Sequence, residues 1–414
     1  MRVLVVGSGA REHALVWKLA NSATVDEVFS VPGNPGIEQL AEVLPVDVYD
    51  FFALNDAAME RRIDLVVIGP EKPLCAGIAD FMGQTGIPVF GPSETCAQIE
   101  GSKAFAKQLM VDAGIPTARH SAFSSAPEAR AYIHKEWSEG RQVVVKASGE
   151  ALGKGAVLPE TVEEATNAAD GMLVRNELGE AGRTIVVEER LTGRELSLMA
   201  VCNGRDFRLL PPARDHKKVG DGDTGRNTGG MGAVSPIDVP NLDELGEMFV
   251  RPVLDRFLRD GTPYVGALYP GLMLTDSGPK CLEYNCRFGD PEAQCVLPRV
   301  GGDFAQVLLK AARGEDLPKP IVSVECSVSV VMTSKGYPGN FEKLAPLPDL
   351  HSDDVLVFHA GVSDLNGSLV SSGGRVLTVT ALGTSVAEAR EKAYAFAMRF
   401  DNGPWHYRRD IGAF

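Results

Sequence analysis

The sequence predicts an α/β fold of several domains that begins with a parallel sheet. The chain has 414 residues, and at about 150 residues per domain this length suggests roughly two to four domains. In its first hundred residues, short β-rich runs alternate with helical patterns, as strands joined by helical crossovers do. A segment rich in glycine or proline follows each run, where ligands bind in parallel sheets. The predicted strands are 3–6, 28–31, 64–68 and 87–90.

Two further units follow, with expected boundaries at 1–102, 103–320 and 321–414. The middle unit should open with a helix over 103–113, and Thr161 and Glu164 predict a capping box at the start of a helix over 161–173. Strands are expected at 143–146, 156–158, 184–188, 280–284, 323–332, 355–360 and 374–380, and further helices at 303–313 and 385–398. The glycine-dense stretch 220–232 is predicted to lack regular structure.

Composition excludes several classes of function. Formal net charge is −14 at pH 7, which disfavours a general nucleic-acid or anionic-membrane binder. No stretch approaches the roughly 20 apolar residues of a membrane span. The seven cysteines include no CxxC pair, so we expect reduced thiols in the cytoplasm and no zinc site.

The first candidate site is the loop Gly7-Ser8-Gly9-Ala10-Arg11-Glu12, between a predicted strand and a predicted helix. It departs from a dinucleotide fingerprint because Glu12 stands at the third glycine position, which disfavours a nicotinamide cofactor. Backbone amides at a helix N-terminus and the guanidinium of Arg11 would still suit a phosphate. The alternative is a tight turn with a surface arginine.

Two neighbouring segments suggest a nucleotide. Lys146 ends a predicted strand and Lys154 lies at the tip of the glycine-bearing loop that follows, an arrangement suited to a triphosphate. The acidic segment 188–195 suits an adenosine, with backbone groups on the adenine edge and a carboxylate on the ribose. The alternatives are a solvated hairpin and an ordinary charged strand end.

Oxygen ligands predict a magnesium site near residue 284. Glu283 and Asn285 are two residues apart, so both face one side of an extended strand, and Arg287 follows on that side. Such ligands suit Mg²⁺ better than zinc. The alternative is an amphipathic strand end. Upstream, the glycine-rich stretch 214–232 would wrap an anionic ligand or form a disordered linker.

Taken in order, the motifs GSGAREHA, PGNPG, IGPE, EGSKAF, KASGEALGKG, DHKKVGDGDTGRNTGGMGA and EYNCRFGDPE resemble the glycinamide ribonucleotide synthetase family of the ATP-grasp superfamily. The resemblance covers the chain from end to end. It implies a preATP-grasp domain, an ATP-grasp core with a mobile lid over about residues 120–190, and a small mixed C-terminal domain.

The resemblance also assigns roles to individual residues. It implies ATP contacts from Lys103, Lys146, Lys154, Gly155, Glu188, Leu191 and Glu195. It implies that Mg²⁺ or Mn²⁺ binds to Glu283 and Asn285. It implies catalytic roles for Arg287, Asp215 and Lys217. It implies phosphoribosylamine contacts from Gly9, Arg11, Gly33, Asn34 and Glu71. Departures from the family pattern are Ser148, Glu150, Arg226 and Lys335.

The activity implied is ATP-dependent ligation of glycine to 5-phosphoribosylamine through a glycyl phosphate, the second step of de novo purine synthesis. All partners would be small molecules, and a monomer is favoured over a dimer. A carboxylase or a formyl-transferring ligase of the same superfamily would share the nucleotide and metal residues. The alternative from another class is a nucleotide-sensing protein without turnover.

Overall fold

The N-terminal unit is a parallel sheet covered by helices. A computed structural model describes residues 1–149, 151, 155–239 and 241–413. The first strands are β1 (Arg2–Gly7), β2 (Glu27–Pro32), β3 (Glu42–Val43), β4 (Leu65–Ile68) and β5 (Val89–Phe90). The helices are α1 (Ala10–Ala20), α2 (Phe51–Glu60), α3 (Glu71–Cys75), α4 (Ile78–Gly83) and α5 (Glu94–Gly101). The order β3–β2–β1–β4–β5, all parallel, confirms the α/β prediction. Because the order reverses at β1, the loops after β1 and β4 border a crevice.

The next unit is an antiparallel sheet with two helices packed on it, preceded by α6 (Lys103–Asp112). Its strands are β6 (His120–Phe123), β7 (Val143–Ala147), β8 (Ala156–Val157) and β9 (Ile185–Glu189), in the order β6–β9–β7–β8. Its helices are α7 (Ala126–Ser138) and α8 (Val162–Leu173). A separate apolar core, which includes Ile133 and Val145, makes it a body of its own.

The predicted capping box of α8 is half right. The Thr161 hydroxyl accepts a hydrogen bond from the Glu164 amide, but the Glu164 carboxylate accepts from the amide of Glu160. The second bond of the box therefore falls one residue before the cap.

The middle of the chain forms a second antiparallel sheet centred on a long strand. Its strands are β10 (Arg194–Ser197), β11 (Ala200–Asn203), β12 (Phe207–Leu209), β17 (Val265–Thr275) and β18 (Gly278–Asn285). The same stretch of chain also contains β13 (Arg214–Asp215) and β16 (Gly232–Ser235), the pair β14 (Lys218–Gly220) and β15 (Thr224–Asn227), and the pair β19 (Val300–Gly301) and β20 (Ile321–Val322), which lie outside this sheet. The helices are α9 (Leu242–Phe249), α10 (Arg251–Arg259), α11 (Glu292–Val296) and α12 (Phe304–Ala312). Strands β10, β11 and β18 pair with β17. One apolar core joins this sheet to the N-terminal unit, with Leu4 and Leu272 as members.

The sheet of the C-terminal unit includes β13 and β16, two strands from the middle of the chain. Its own elements are β21 (Cys326–Ser334), β22 (Leu356–His359), β23 (Val362–Leu365), β24 (Ser368–Ser371), β25 (Arg375–Gly383), α13 (Val386–Ala397) and β26 (Trp405–His406). The sheet order is β13–β16–β21–β25–β22, with β26 on β21. Short 3₁₀ turns occupy Ile37–Gln39, Gly179–Gly182, Leu297–Arg299 and Met398–Phe400. Within the described ranges, none of the helices is long and apolar enough to cross a bilayer.

The prediction that 220–232 lacks regular structure is wrong. Strands β14 and β15 pair as a hairpin, and β16 begins at Gly232. Positive φ angles at Gly222 (65°), Asp223 (54°) and Gly225 (79°) suit its tight turn. The C-terminal tail holds that turn, since Arg408 donates to the Asp223 carboxylate at 2.7 Å.

Two buried histidines join the N-terminal and C-terminal units. His13 in α1 accepts a hydrogen bond at Nδ1 from the His359 amide, at 2.9 Å. The rings meet edge to face with centroids 5.5 Å apart. Burial, with a smaller contribution from His359, lowers the pKa of His13 to about 3. Burial lowers the pKa of His359 to about 4. Both rings are therefore neutral in the folded protein at every pH above about 5.

We expect this junction to weaken in mild acid. In the unfolded chain histidine protonates near pH 6.5, while the buried rings stay neutral, so the unfolded state binds more protons below that pH. Stability then falls by about 1.4 kcal/mol per pH unit for each histidine as pH drops from 6.5 towards 4. His359→Gln should flatten the pH dependence of the denaturant midpoint between pH 6.5 and 5, above the range in which carboxylates titrate. The control is His134→Gln, because His134 is exposed. If the denaturant midpoint of His359→Gln depends on pH as steeply as that of wild type, the buried histidines do not cause the loss of stability in acid.

Candidate active site

A cavity of about 690 Å³ opens where these units meet. Its wall takes side chains from α6, from the sheet β6–β9, from the sheet around β17 and from the C-terminal unit. Beside the connection between β9 and β10, which itself carries charged residues, the wall includes the apolar side chains of Met110, Val144, Val186 and Met273. Charged groups line much of the remainder. An apolar slot beside a strand connection, with charge beyond it, suits a nucleotide whose base enters first.

Glu188 binds two lysines at the inner end of that slot. Lys107 lies 2.6 Å from its Oε2 and Lys146 forms an ion pair with its Oε1. All three are buried, with Glu188 only 2% exposed. Burial alone would lower the pKa of Lys146, but the carboxylates of Glu188 and Glu283 raise it. Lys146 is thus a fixed, fully charged cation. The Glu188 carboxylate thus serves lysines, while Glu189 and Glu195 of the same segment also line the cavity.

Glu283 and Asn285 form the oxygen-rich part of the wall. Both lie on β18, and Glu283 Oε1 is 3.4 Å from the ammonium of Lys217. Burial would raise the pKa of Glu283, but Lys217, Lys146 and Lys103 hold it far below its usual range. The amide nitrogen of Asn285 donates to the carbonyl of Tyr269 at 3.4 Å, which leaves its side-chain oxygen as an acceptor. Glu283 is therefore a permanent anion beside a neutral oxygen donor.

These two donors fit a hard divalent cation that shares its ligands with a nucleotide. Carboxylate and amide oxygens are what Mg²⁺ prefers, and it is usually held by one or two protein groups together with phosphates and water. The described part of the chain contains no cluster of three or more His, Cys, Asp or Glu that would hold a metal unaided. Glu283 and Asn285 would therefore supply only part of the coordination of Mg²⁺, and phosphate oxygens of a nucleotide would supply more of it.

Arg287 links the cavity to the crevice of the N-terminal unit. Its Nη2 donates to Glu100 at 2.7 Å, its Nε to Glu71 at 3.2 Å, and its Nη1 to the Phe288 carbonyl at 3.2 Å. Burial would raise the pKa of Glu71, but Arg287 and Arg11 hold it at about 2. Among the described residues, three of the five N–H donors of Arg287 have partners, so two are left for a ligand.

The loop after β1 differs from the predicted phosphate cradle. The Glu12 carboxylate fills it, accepting from the Gly9 amide at 2.7 Å and from Nε of Arg11 at 2.5 Å. A Cβ on Gly7, Gly9 or Gly69 would come within 3 Å of the Glu12 side chain. These glycines thus make room for an internal carboxylate. Arg11 is 6% exposed and committed to Glu12, so it is a buried structural cation as well as part of the cavity wall.

The C-terminal unit fixes the glycine-rich loop against the cavity. Arg375 on β25 donates from Nη1 to the carbonyls of Gly229 and Asp290, both at 2.8 Å. Its Nη2 donates to the Asp290 carboxylate at 2.8 Å. The Tyr337 hydroxyl accepts from the Gly229 amide at 3.1 Å. The loop before β16 is therefore held by side chains more than a hundred residues away in sequence.

The structure gathers most of the predicted site residues on this one wall. Those on the cavity are Arg11, Glu71, Lys103, Lys146, Gly155, Glu188, Leu191, Glu195, Asp215, Lys217, Glu283, Asn285 and Arg287. Gly9, Gly33 and Asn34 lie off it. The amide nitrogen of Asn34 donates to the carbonyls of Ser8 and His359, and its oxygen accepts from Gly36 and Ile37. The side chain of Asn34 thus ties loops together.

Lys154 and Glu150 lie outside the described residues. Ser148 does have a structural role at the same loop: its hydroxyl accepts from the Ala104 amide at 3.1 Å and contacts the Ser102 hydroxyl at 3.2 Å. It thereby joins the end of β7 to the start of α6. Arg226 and Lys335 are exposed.

Sequence reasoning missed several wall residues. Lys107 follows Lys103 by four positions on α6, so the helical period alone would have placed both on one face. Glu292 stands in the quoted motif EYNCRFGDPE without a role. Arg375 and Tyr337 carry no local signal, because their partners Asp290 and Gly229 are distant in sequence.

Comparison with known families accounts for nearly the whole chain. Residues 1–100 match "Phosphoribosylglycinamide synthetase, N domain", residues 101–293 match "Phosphoribosylglycinamide synthetase, ATP-grasp (A) domain", and residues 327–414 match "Phosphoribosylglycinamide synthetase, C domain". The phosphoribosylamine–glycine ligase of Brucella melitensis is 44% identical, over 100% of this chain and 97% of the relative. That of Agrobacterium fabrum is 43% identical, over 100% and 98%.

Solved structures agree with this match. The phosphoribosylamine–glycine ligase of Thermotoga maritima superposes with a TM-score of 0.87 at 35% identity, covering 99% of this chain and 100% of that one. The biotin carboxylase domain of the Hydrogenobacter thermophilus 2-oxoglutarate carboxylase, solved with MgADP and bicarbonate, gives a TM-score of 0.74 at 15% identity, with 97% and 90% covered. At that identity the second likeness concerns the fold alone.

Proposed function

The chain belongs to the phosphoribosylglycinamide synthetase family, and from that premise we propose that it joins glycine to 5-phosphoribosylamine. It is an ATP-grasp carbon–nitrogen ligase. The products would be glycinamide ribonucleotide, ADP and phosphate, as in the second step of de novo purine synthesis. The enzyme would act in the cytoplasm on small molecules. Its seven cysteines, all free thiols, agree with that compartment.

The observation that carries the proposal is the ion pair of Glu283 with Lys217 on a wall that also carries Lys146 and Lys103. A carboxylate whose pKa is held low by three ammonium groups, beside Asn285, has the charge pattern of a metal–polyphosphate site. The apolar slot beyond it would take the base, and the crevice at Glu71 would take the second substrate. A sensor that only bound nucleotide would not need a crevice joined to the phosphate end.

In the first half-reaction a carboxylate oxygen of glycine bonds to the γ-phosphorus of ATP while the bond to the bridging oxygen breaks and ADP leaves. Lys103, Lys146 and Lys217 would hold the phosphate oxygens and offset their charge as it shifts. Mg²⁺ held by Glu283 and Asn285 would neutralise part of the polyphosphate charge. Glycine becomes glycyl phosphate, a mixed anhydride with a good leaving group.

In the second half-reaction the amine of phosphoribosylamine attacks the carbonyl carbon of glycyl phosphate. The new C–N bond forms, the C–O bond to phosphate breaks, and the nitrogen releases a proton. Glu71, fixed by its ion pairs with Arg287 and Arg11, would orient the amine or the ribose. Acyl phosphates hydrolyse in water, so the sheet β6–β9 would close as a lid.

The proposal keeps the expected division of labour among segments. Residues 1–102 would bind phosphoribosylamine, 103–320 would bind ATP with a lid over about 120–190, and 321–414 would hold the glycine-rich loop through Arg375. Gly9, Gly33 and Asn34 would shape the crevice from behind, since their polar groups serve loop contacts.

An ADP-release assay tests the function directly. We expect ADP only when ATP, Mg²⁺, glycine and freshly prepared phosphoribosylamine are all present, with loss of signal when any one is omitted. Bicarbonate or formate in place of glycine should give none. Stimulation by bicarbonate would identify a carboxylase, stimulation by formate a formyl-transferring ligase, and ATP binding without any turnover a sensor.

A further inference from the structure

The hairpin β14–β15 forms part of the cavity wall, but it is not stable by itself. Lys218, Asp223 and Asn227 line the cavity, while the stretch 221–226 is exposed. Among the described residues the hairpin pairs with no other strand, and Val219, its one apolar side chain, is only half-buried. An isolated two-stranded hairpin is marginally stable in water. The geometry of this wall must therefore be set by other parts of the chain.

The C-terminal tail, residues 405–412, supplies those contacts. Nε2 of His406 donates to the carbonyl of Val219 on β14 at 2.7 Å. The amide of Gly222, in the turn of the hairpin, donates to the Asp410 carboxylate at 2.8 Å. The first strand of the hairpin and its turn are therefore both bonded to the tail.

Arg408 lies at the centre of these contacts and is only 1% exposed. Its Nη1 donates to the Asp223 carboxylate at 2.7 Å and to the carbonyl of Lys218 at 3.1 Å. Its Nε and Nη2 donate to the Asp410 carboxylate at 2.7 Å and 2.6 Å. Two acids thus offset the charge of a buried guanidinium, whose planar fork holds the start of the hairpin and its turn in one relative position.

The tail itself is anchored in the C-terminal unit. Its strand β26 pairs with β21. The Tyr394 hydroxyl donates to the Arg408 carbonyl at 2.7 Å and accepts from the Ile411 amide at 3.0 Å. Nε of Arg390 donates to the Ile411 carbonyl at 3.1 Å, and the Ile411 side chain belongs to the core of that unit. The tail is therefore a fixed support for the hairpin.

The hairpin is continuous with Lys217, which immediately precedes β14. The Lys217 ammonium lies 3.4 Å from Oε1 of Glu283, and its carbonyl accepts from the amide and the hydroxyl of Thr228 at 2.8 Å and 2.9 Å. Thr228 immediately follows β15. The backbone of Lys217 is thus fixed by the base of the hairpin, and the next residue along the chain is bonded to Arg408. A shift of the hairpin would move Lys217 relative to Glu283.

We propose that Arg408 is a positioning residue for phosphoryl transfer, and that it acts through the hairpin β14–β15 to keep Lys217 beside Glu283. This assignment rests on the proposed function. Arg408 does not line the cavity, so it acts without touching a substrate. Phosphoryl transfer depends on the placement of charge, and a misplacement of about 1 Å can cost about 10²-fold in rate.

Arg408→Ala should lower turnover by about 10- to 100-fold. The Michaelis constant for ATP should change by less than about threefold, because the apolar slot for the base lies on β7, β9 and β17. Arg408→Lys keeps the charge but not the fork and should recover part of the turnover. The control is Arg409→Ala, since the exposed Arg409 side chain pairs with Asp401 and only its backbone amide bonds to the hairpin. Wild-type turnover in Arg408→Ala would overturn the proposal.

A double-mutant cycle with Lys217→Ala distinguishes positioning from a general loss of structure. If Arg408 acts through Lys217, Arg408→Ala should slow the Lys217→Ala enzyme by less than about twofold. Two independent effects would instead multiply. A double variant slower than Lys217→Ala by the full factor seen for Arg408→Ala alone would overturn the proposal.

Amide hydrogen exchange tests the support of the hairpin without turnover. Asp410→Asn is the milder variant, because it keeps the size of a side chain that bonds to Arg408 and to the Gly222 amide. Amides in 217–228 should exchange at least about 10-fold faster than in wild type, while those of β18 should not change. Unchanged exchange in the hairpin would overturn the role of the tail. If wild-type enzyme releases ADP without responding to glycine, the proposed function fails, and the exchange experiment still decides whether the tail holds the hairpin.

Discussion

We expect Glu283→Gln to lower turnover by about 10²–10³ with little change in fold. The substitution keeps the side chain's size but removes the anion that lies 3.4 Å from Lys217 and is offset by Lys146 and Lys103. Mg²⁺ depends on anionic ligands to compensate for its lost hydration, so it would be held loosely beside the polyphosphate. A few kcal/mol of lost transition-state stabilisation corresponds to that range of rates.

The measurement is turnover at saturating ATP and glycine over a Mg²⁺ titration. Partial rescue by excess Mg²⁺ would identify affinity as the defect, and no rescue would identify geometry. Asp276→Asn, in the exposed turn that joins β17 and β18, changes the same charge on the same hairpin and should be silent. Unimpaired turnover of Glu283→Gln at low Mg²⁺ would exclude Glu283 as a ligand.

The same variant has an expected effect on the free enzyme. Because the lysines lower the pKa of Glu283, its charge stabilises the folded state above the unfolded pKa of about 4.3, and that contribution disappears as pH falls through the folded value. Glu283→Gln should therefore cost about 1 kcal/mol at pH 7 and nothing in strong acid. The denaturant midpoints of wild type and Glu283→Gln should therefore differ at pH 7 and converge only well below pH 4.

Local patterns predicted four of the five strands of the parallel sheet and placed Glu283 and Asn285 on one face of β18. Strand β1 is a continuous apolar run, and the sequence spacing of Glu283 and Asn285 already places both on one face of an extended strand. Those signals lie within a few residues of chain. The hairpin β14–β15 escaped prediction because its glycines favour turns of any kind, and its order comes from Arg408 in the C-terminal tail.

Charge partners were beyond sequence reasoning. From sequence, the loop after β1 is predicted to be an open phosphate-binding loop. In the structure the Glu12 side chain occupies it and packs against Gly69, which follows β4. From sequence, Arg287 is predicted to be an unpaired cation. In the structure it is bonded to Glu71 and Glu100, which lie about 190 to 220 residues earlier in the chain. The types of residue were informative, but which charges neutralise one another depends on tertiary structure.

Glu188→Ala is expected to give the largest loss of stability. It leaves Lys107, 3% exposed, and Lys146, 9% exposed, facing each other without their shared carboxylate. Breaking a buried ion pair by removing one partner costs about 3–5 kcal/mol, because the remaining charge stays buried. The neighbouring variant Glu189→Ala removes a half-exposed carboxylate 3.7 Å from Lys280 and should cost less than about 1 kcal/mol.

Denaturant unfolding at pH 7 measures the loss of stability in Glu188→Ala and in Glu189→Ala. The pH dependence of the loss in Glu188→Ala shows whether it comes from the charge of Glu188. Burial would raise the pKa of Glu188, but Lys146 and Lys107 lower it, so its contribution is present above about pH 4.3 and is lost as pH falls through the folded value. The difference in free energy of unfolding between wild type and Glu188→Ala should therefore become smaller in acid. Lys107→Met in the Glu188→Ala background removes one stranded charge and should restore part of the stability. A double variant less stable than Glu188→Ala would show that packing, and not the unpaired ammonium groups, accounts for the loss.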